Sequence, residues 1–264
     1  MSVTVAKTAG FCFGVRRAVA LAEEQAHEHG SIYAYGEIIH NMHEIARLEK
    51  MGVHTAQTLD GIPDGERVLI RAHGVPRAVY DAFRAKNCEI FDATCPFVHK
   101  IHRIVDEESR AGRLIVILGK EGHPEVEGIR GWCSESVVID GEQAAQTFAD
   151  AFNPAGRPVS MVAQTTVNRT IWNISVSILK KRCTNLKIFD TICKATDERQ
   201  SEARLLAGSC EQMIVIGDRK SSNTKRLYEI SRSLCRNVLY IEDAAELTTQ
   251  ELLRTGNIGI TAGA

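Results

Sequence analysis

Two six-residue segments constrain this chain more than anything else in it. Residues 90–95 read IFDATC and residues 188–193 read IFDTIC, each a short apolar run followed by Asp, two residues and Cys. The two cysteines stand 98 positions apart, the size of a small domain. Self-similarity at such a spacing marks a fold built by repeating one supersecondary unit.

The intervening sequence repeats in the same sense. Before the first Cys come the strand-like runs SIYAYG (31–36), GVHTA (52–56), VLIRAHG (68–74) and EIFDATC (89–95). Before the second come LIVILG (114–119), SVVID (136–140), VSMVAQTT (159–166) and KIFDTIC (187–193). A third set, MIVIG (213–217), NVLYIED (237–243) and IGITAGA (258–264), lacks a fourth member. The other end of the chain supplies one in VTVAKTAGFC (3–12), which ends on Cys12. The runs are rich in Val and Ile and alternate with amphipathic segments such as RRAVALAEEQAHEH (16–29) and TDERQSEARLLAG (196–208). That is the pattern of parallel strands joined by right-handed helical crossovers. The sequence therefore predicts an α/β fold of three similar Rossmann-like units with pseudo-threefold symmetry, each with a mostly parallel sheet of about four strands. The units are residues 14–95, residues 96–193, and residues 194–264 closed by 1–13.

Ligands of such sheets bind beyond the carboxyl ends of the strands. In unit one, His40, His73 and Cys95 follow strands. In unit two, His123 and Glu125, then Thr165 and Thr166, then Cys193 do so. In unit three, Ser221, Ser222 and Asn223 follow MIVIG, and Cys12 follows the N-terminal strand. Three equivalent cysteines suit one 4Fe–4S cluster on the pseudo-threefold axis. Such a cluster normally takes four thiolates, so three leave one iron site open to polarise a substrate oxygen. Structural zinc uses closely spaced Cys pairs, which this sequence lacks. A three-cysteine catalytic zinc and three buried structural thiols remain as alternatives. Cys88, Cys133, Cys183, Cys210 and Cys235 do not share the strand-then-Cys position and read as plain thiols.

Imidazoles, hydroxyls and a helix start make an anion site, a reading compatible with Ser222 or Asn223 also capping that helix. Glu125, with Glu127 as its competitor, is a candidate proton donor if burial raises its pKa. Thr165 or Thr166 could orient it. His27, His29, His43, His54, His99 and His102 read as solvated.

Net charge is −1 over 264 residues, which gives no basic excess for nucleic acid. No apolar run nears the roughly 20 residues of a membrane span, and MSVTVAKTAGFCFGVRR lacks the plan of a signal peptide. The expectation is a cytoplasmic protein with neither nucleic-acid nor membrane partners, its eight cysteines thiols or ligands rather than disulfides. No G-x-G-x-x-G or Walker A motif occurs.

The segments GFCFGVRRAV, GEIIHN, RAHGV, FDATCP, GHPEVEG, QTT, DTICKAT, SSNTKRL and TAGA run from one end of the sequence to the other. Together they resemble the 4-hydroxy-3-methylbut-2-enyl diphosphate reductase family, whose members complete the methylerythritol phosphate route to isoprenoids. The resemblance implies a cloverleaf around one 4Fe–4S cluster with Cys12, Cys95 and Cys193 as ligands. It implies Glu125 as proton donor, Thr165 placing it, and His40, His73, His123, Ser221, Ser222 and Asn223 holding the diphosphate. The implied reaction removes the substrate's allylic hydroxyl as water and gives isopentenyl and dimethylallyl diphosphate. Its electrons would come from an external carrier, ferredoxin or flavodoxin. The family also uses a Ser just after TAGA, a position beyond Ala264. A redox-neutral cluster enzyme such as quinolinate synthase would share three units and three cysteines but not this run of motifs.

Overall fold

A computed structural model of the chain describes residues 2–152, 157–248, 252 and 256–263. In chain order the elements are β1 (Ser2–Val5), α1 (Phe13–His29), β2 (Ile32–Tyr35), α2 (Met42–Lys50), β3 (Val53–Ala56), β4 (Arg67–Ile70), α3 (Arg77–Ala85) and β5 (Glu89–Asp92). Then follow α4 (Pro96–Arg110), β6 (Leu114–Leu118), α5 (Pro124–Arg130), β7 (Ser136–Ile139), α6 (Glu142–Ala151), β8 (Val159–Ala163), α7 (Arg169–Arg182) and β9 (Leu186–Ile188). The last are α8 (Lys194–Ser209), β10 (Gln212–Ile216), α9 (Ser222–Leu234), β11 (Asn237–Ile241) and β12 (Asn257–Ala262).

The strands form three four-stranded sheets, ordered β3-β2-β4-β5, β7-β6-β8-β9 and β11-β10-β12-β1, with every pairing parallel. The topology is the same in each once β1 takes the fourth place beside β12. The first strand of each sheet lies between the second and the third, so the chain reverses its direction of travel there. This switch opens a crevice at the strands' carboxyl ends.

The central strands are apolar along their length because both faces are covered. Leu69 of β4 packs against α1 through Ala18 and Ala22, while its neighbours Val68 and Ile70 face Val79 and Phe83 of α3. In unit two Val116 and Leu118 meet Trp172 and Leu179 of α7, and Ile115 and Ile117 meet Ile101 and Val105 of α4. β1 is an edge strand, and its Val3 and Val5 are exposed.

The repeated Asp ends its strand with a specific turn. Asp92 Oδ1 accepts from Thr94 N at 2.8 Å, and Asp190 Oδ1 accepts from Ile192 N at 3.3 Å. Each is an Asx turn, a local substitute for backbone pairing. The backbone N–H of Cys95 then donates to Ala72 O, and that of Cys193 to Thr165 O, both at 3.0 Å. Each Cys loop is thereby stitched to the loop after the third strand of its own unit.

One expectation fails here. His102 is not solvated but 1% exposed, stacked on Trp132 with ring centroids 5.1 Å apart. It lies on the buried stripe Val98, Ile101, His102 and Val105 of α4, a helical spacing legible in the sequence. The other five histidines read as solvated are exposed. His102 sits under the turn after His73: a Cβ on Gly74, whose φ is +71°, would lie 2.5 Å from its ring. Trp132 Nε1 donates to Val75 O at 2.9 Å, and Gly131 leaves no room for a Cβ against Pro76. This packing joins unit two to the His73 loop of unit one.

Burial holds the His102 pKa down to about 3, so the native state keeps it neutral where an unfolded chain, titrating near 6.5, takes up a proton. Its contribution to stability is therefore full above about pH 6.5 and is lost as pH falls toward 3, at about 1.4 kcal/mol per pH unit. Denaturant midpoints measured from pH 7.5 to 4.5 should fall less steeply in His102→Gln than in the parent. Parallel slopes would contradict the assignment.

Candidate active site

All eleven side chains singled out as ligands, proton donor or anion binders line one cavity at the carboxyl ends of the three sheets. Thr166, Gly14, Phe97, Thr196 and Arg199 line it too.

Cys12, Cys95 and Cys193 are the N-cap residues of α1, α4 and α8, and none makes a side-chain cap hydrogen bond. The thiols are left free while their backbones start the helices. Burial pushes Cys95 up to about 11 and raises Cys193, and Cys12 beside them adds to both. The first helical N–H groups pull the other way, at Phe97 and Val98 for Cys95 and at Ala195 and Thr196 for Cys193. Alone these two thiols stay protonated at neutral pH. A bound metal centre reverses that balance, since a coordinating thiol is deprotonated outright. The space is shaped for sulfur: a Cβ on Gly14 would lie 2.5 Å from Cys95 Sγ and 4.0 Å from Cys12 Sγ. The donor set, three soft sulfurs at the starts of three helices, fits an iron–sulfur centre.

A second group of donors is built from imidazoles. The rings of His40, His73 and His123 have centroids 4.6–5.9 Å apart, close enough for one metal ion or one anion. The hydrogen bonds favour the anion. His123 Nδ1 accepts from Glu125 N at 3.1 Å, so the neutral ring carries its proton on Nε2 and offers a donor there, not a lone pair. Burial, with His40 next, depresses His123 to about 4, so it stays neutral. Burial also depresses His73 well below its ordinary value. His40 Nδ1 donates to Glu37 Oε2 at 3.0 Å, and Glu37 also binds Lys220 at 2.8 Å across to unit three.

Beside them α9 begins. Ser221 is its N-cap, accepting from Thr224 N at 3.2 Å, so the capping alternative falls to Ser221 and leaves Ser222 and Asn223 out of it. Both polar atoms of the Asn223 side chain are buried without a partner, as are His40 Nε2 and His73 Nδ1. Buried polar atoms without partners are costly and rare. Here they converge where α1, α4, α8 and α9 present their positive ends, which suits an oxygen-rich anion.

Glu125 is 3% exposed. Its carboxyl accepts from Thr165 N at 2.6 Å and Thr165 Oγ1 at 2.8 Å. Burial outweighs these two donors and pushes its pKa up to about 7. Glu127 instead pairs with Arg130 at 3.3 Å, partly exposed, and does not line the cavity. Thr165 is therefore the orienting residue, while Thr166 Oγ1 accepts from Gln164 Nε2. Cys88, Cys133, Cys183, Cys210 and Cys235 all lie off the cavity.

Arg199 escaped the strand-end rule because it lies inside α8. No residue-level signal marks it; its environment comes from the N-terminal loop, about 190 residues away.

The family described as LytB protein matches residues 3–264. A relative named 4-hydroxy-3-methylbut-2-enyl diphosphate reductase, from Clostridioides difficile, is 41% identical over 265 residues, covering 100% of this chain and 94% of its own. One of the same name from Aquifex aeolicus is 38% identical, covering 100% and 91%. Among solved structures, (E)-4-hydroxy-3-methyl-but-2-enyl diphosphate reductase, the terminal enzyme of the non-mevalonate pathway, is similar at 37% identity and a TM-score of 0.71, over 100% of this chain and 94% of that one. The Plasmodium falciparum E-1-hydroxy-2-methyl-but-2-enyl-4-diphosphate reductase superposes with a TM-score of 0.90 at 28% identity, over 99% of this chain and 82% of that one. With the same three-sheet architecture and a full-length match in sequence, the chain belongs to the LytB protein family.

Proposed function

We propose that this protein reductively removes the allylic hydroxyl of 4-hydroxy-3-methylbut-2-enyl diphosphate, using a 4Fe–4S cluster held by Cys12, Cys95 and Cys193. The observation that carries the reading is one cavity lined by three uncommitted thiols, an orphaned set of anion-binding donors and a buried carboxyl. The names of the relatives support the substrate. The overall change is substrate plus two electrons and two protons to isopentenyl or dimethylallyl diphosphate plus water. The cluster, when bound, supplies single electrons and a Lewis-acidic open iron.

The chain's own residues do the rest. His40, His73 and His123, with Ser221, Ser222, Asn223 and the start of α9, hold the diphosphate. Anchoring that end fixes where the hydroxyl lies, and orientation of this kind lowers the barrier without touching the breaking bond. Glu125, protonated up to about pH 7, gives its proton to the departing oxygen. Thr165, through its N–H and hydroxyl, keeps the carboxyl aimed and stabilises the carboxylate left behind. The electrons come from an external carrier of the ferredoxin or flavodoxin kind, and the setting is cytoplasmic. No helix of the described residues is long and apolar enough to cross a membrane. Residues 14–95, 96–193, and 194–264 with 1–13 act as the three units.

Anaerobic protein supplied with a strong reductant should consume the allylic diphosphate with two electrons per turnover; turnover without electron consumption points to a dehydratase and sinks the reading. Cys95→Ser should lose the cluster absorbance with its iron and sulfide, whereas Cys133→Ser should keep all three. Full iron content in Cys95→Ser overturns the ligand assignment. Glu125→Gln should bind substrate normally but turn over about 10²–10⁴-fold more slowly. Parent turnover should fall above about pH 7, as the Glu125 proton is lost. Unimpaired turnover in Glu125→Gln assigns the proton to another donor.

A further inference from the structure

Units one and two set their cysteines with the Asx turns of Asp92 and Asp190. The loop before Cys12 has no Asp, and α8 holds it from outside. Glu202 accepts from Lys7 N, Thr8 N and Thr8 Oγ1 at 2.5–2.9 Å. One turn earlier, Arg199 Nε donates to Thr8 O at 2.8 Å and a terminal nitrogen donates to Gly10 O at 2.6 Å.

Arg199 is anomalous in its charge. It is 6% exposed, and both acceptors are neutral carbonyls. The other fully buried arginine among the described residues, Arg113, has Glu108 at 3.1 Å; Arg199 has no carboxylate at salt-bridge distance. A buried ion without a counter-ion is strongly unfavourable. Arg199 is also the only Lys or Arg among the described residues lining the cavity. It lies six residues into α8 from Cys193, about 9 Å along the axis, and its acceptor Gly10 is two residues from Cys12.

We propose that Arg199 is the counter-charge of the anionic centre held by the three thiolates and raises its reduction potential. This rests on the reading of the cavity as a cluster site. Reduction adds a negative charge, and a fixed cation in a poorly screened interior favours that state. Arg199 is thus a positioning and tuning residue: it sets the Cys12 loop and biases the electron equilibrium without touching substrate.

The test is a spectroelectrochemical titration of reconstituted protein without turnover, on the parent, Arg199→Gln, Arg199→Lys and Glu202→Gln. Arg199→Gln should keep its iron and sulfide while its reduction equilibrium falls at least about tenfold, or about 59 mV more negative for one electron. Glu202→Gln, which loosens the same loop without removing the cation, should show no such fall. A loaded Arg199→Gln at the parent potential overturns the inference, as does an equal fall in Glu202→Gln. If Arg199→Gln takes up no cluster, Arg199→Lys decides: uptake there supports a need for the charge, and loss there too makes the residue a loop clasp and overturns it. Parent protein that binds no cluster removes the reading of the site, and the inference falls with it.

Discussion

Three helices of this chain start on a cysteine whose thiol takes no part in the cap. The strand-to-helix joints at Cys12, Cys95 and Cys193 line one cavity, each at the end of the equivalent strand of one of three sheets that share one topology. Backbone geometry sets each sulfur at its helix start, where for Cys95 and Cys193 the first helical N–H groups reach the thiol. The stitches are the two Asx turns and the bonds from Cys95 N to Ala72 O and from Cys193 N to Thr165 O. The Thr165 loop therefore carries two duties. Its carbonyl fixes Cys193, while its N–H and hydroxyl fix Glu125. A shift of that loop would move a thiol and the buried carboxyl together.

The rest of the cavity is arranged by charge. Burial favours the uncharged form of five lining groups: Glu125 is raised, His73 and His123 are depressed, and the Cys95 and Cys193 thiols are raised. Into this region four helices direct their positive ends, and Asn223 and His40 direct polar atoms with no partner. Such a pocket is poorly satisfied by itself and well satisfied by an anion on one group of residues and a metal centre on the other. The same anions explain why a buried Arg199 is tolerable.

Most of this was legible in the sequence, for physical reasons. Strands such as β6 and β8 are buried on both faces and so appear as unbroken apolar runs. β1, a short exposed edge strand, carries little signal of its own and was found only because the repeat lacked a fourth member. The cavity-lining residues were legible as a group because they follow strand ends, where a parallel sheet puts its ligands. His102 was misread because a histidine in a charged helix looks polar, although the spacing of Val98, Ile101, His102 and Val105 marks the buried face. Arg199 was invisible for the opposite reason: inside a polar helix, its role depends on a loop from the far end of the chain.

The central claim is that thiols and anion-binding donors serve one reaction in one cavity. The electron paramagnetic resonance spectrum of the reduced, cluster-loaded protein, recorded with and without the allylic diphosphate, tests it most directly. The account predicts an iron–sulfur signal that changes when the diphosphate is added, because the ligand lies against the cluster. A loaded protein whose signal is identical with saturating diphosphate would contradict it.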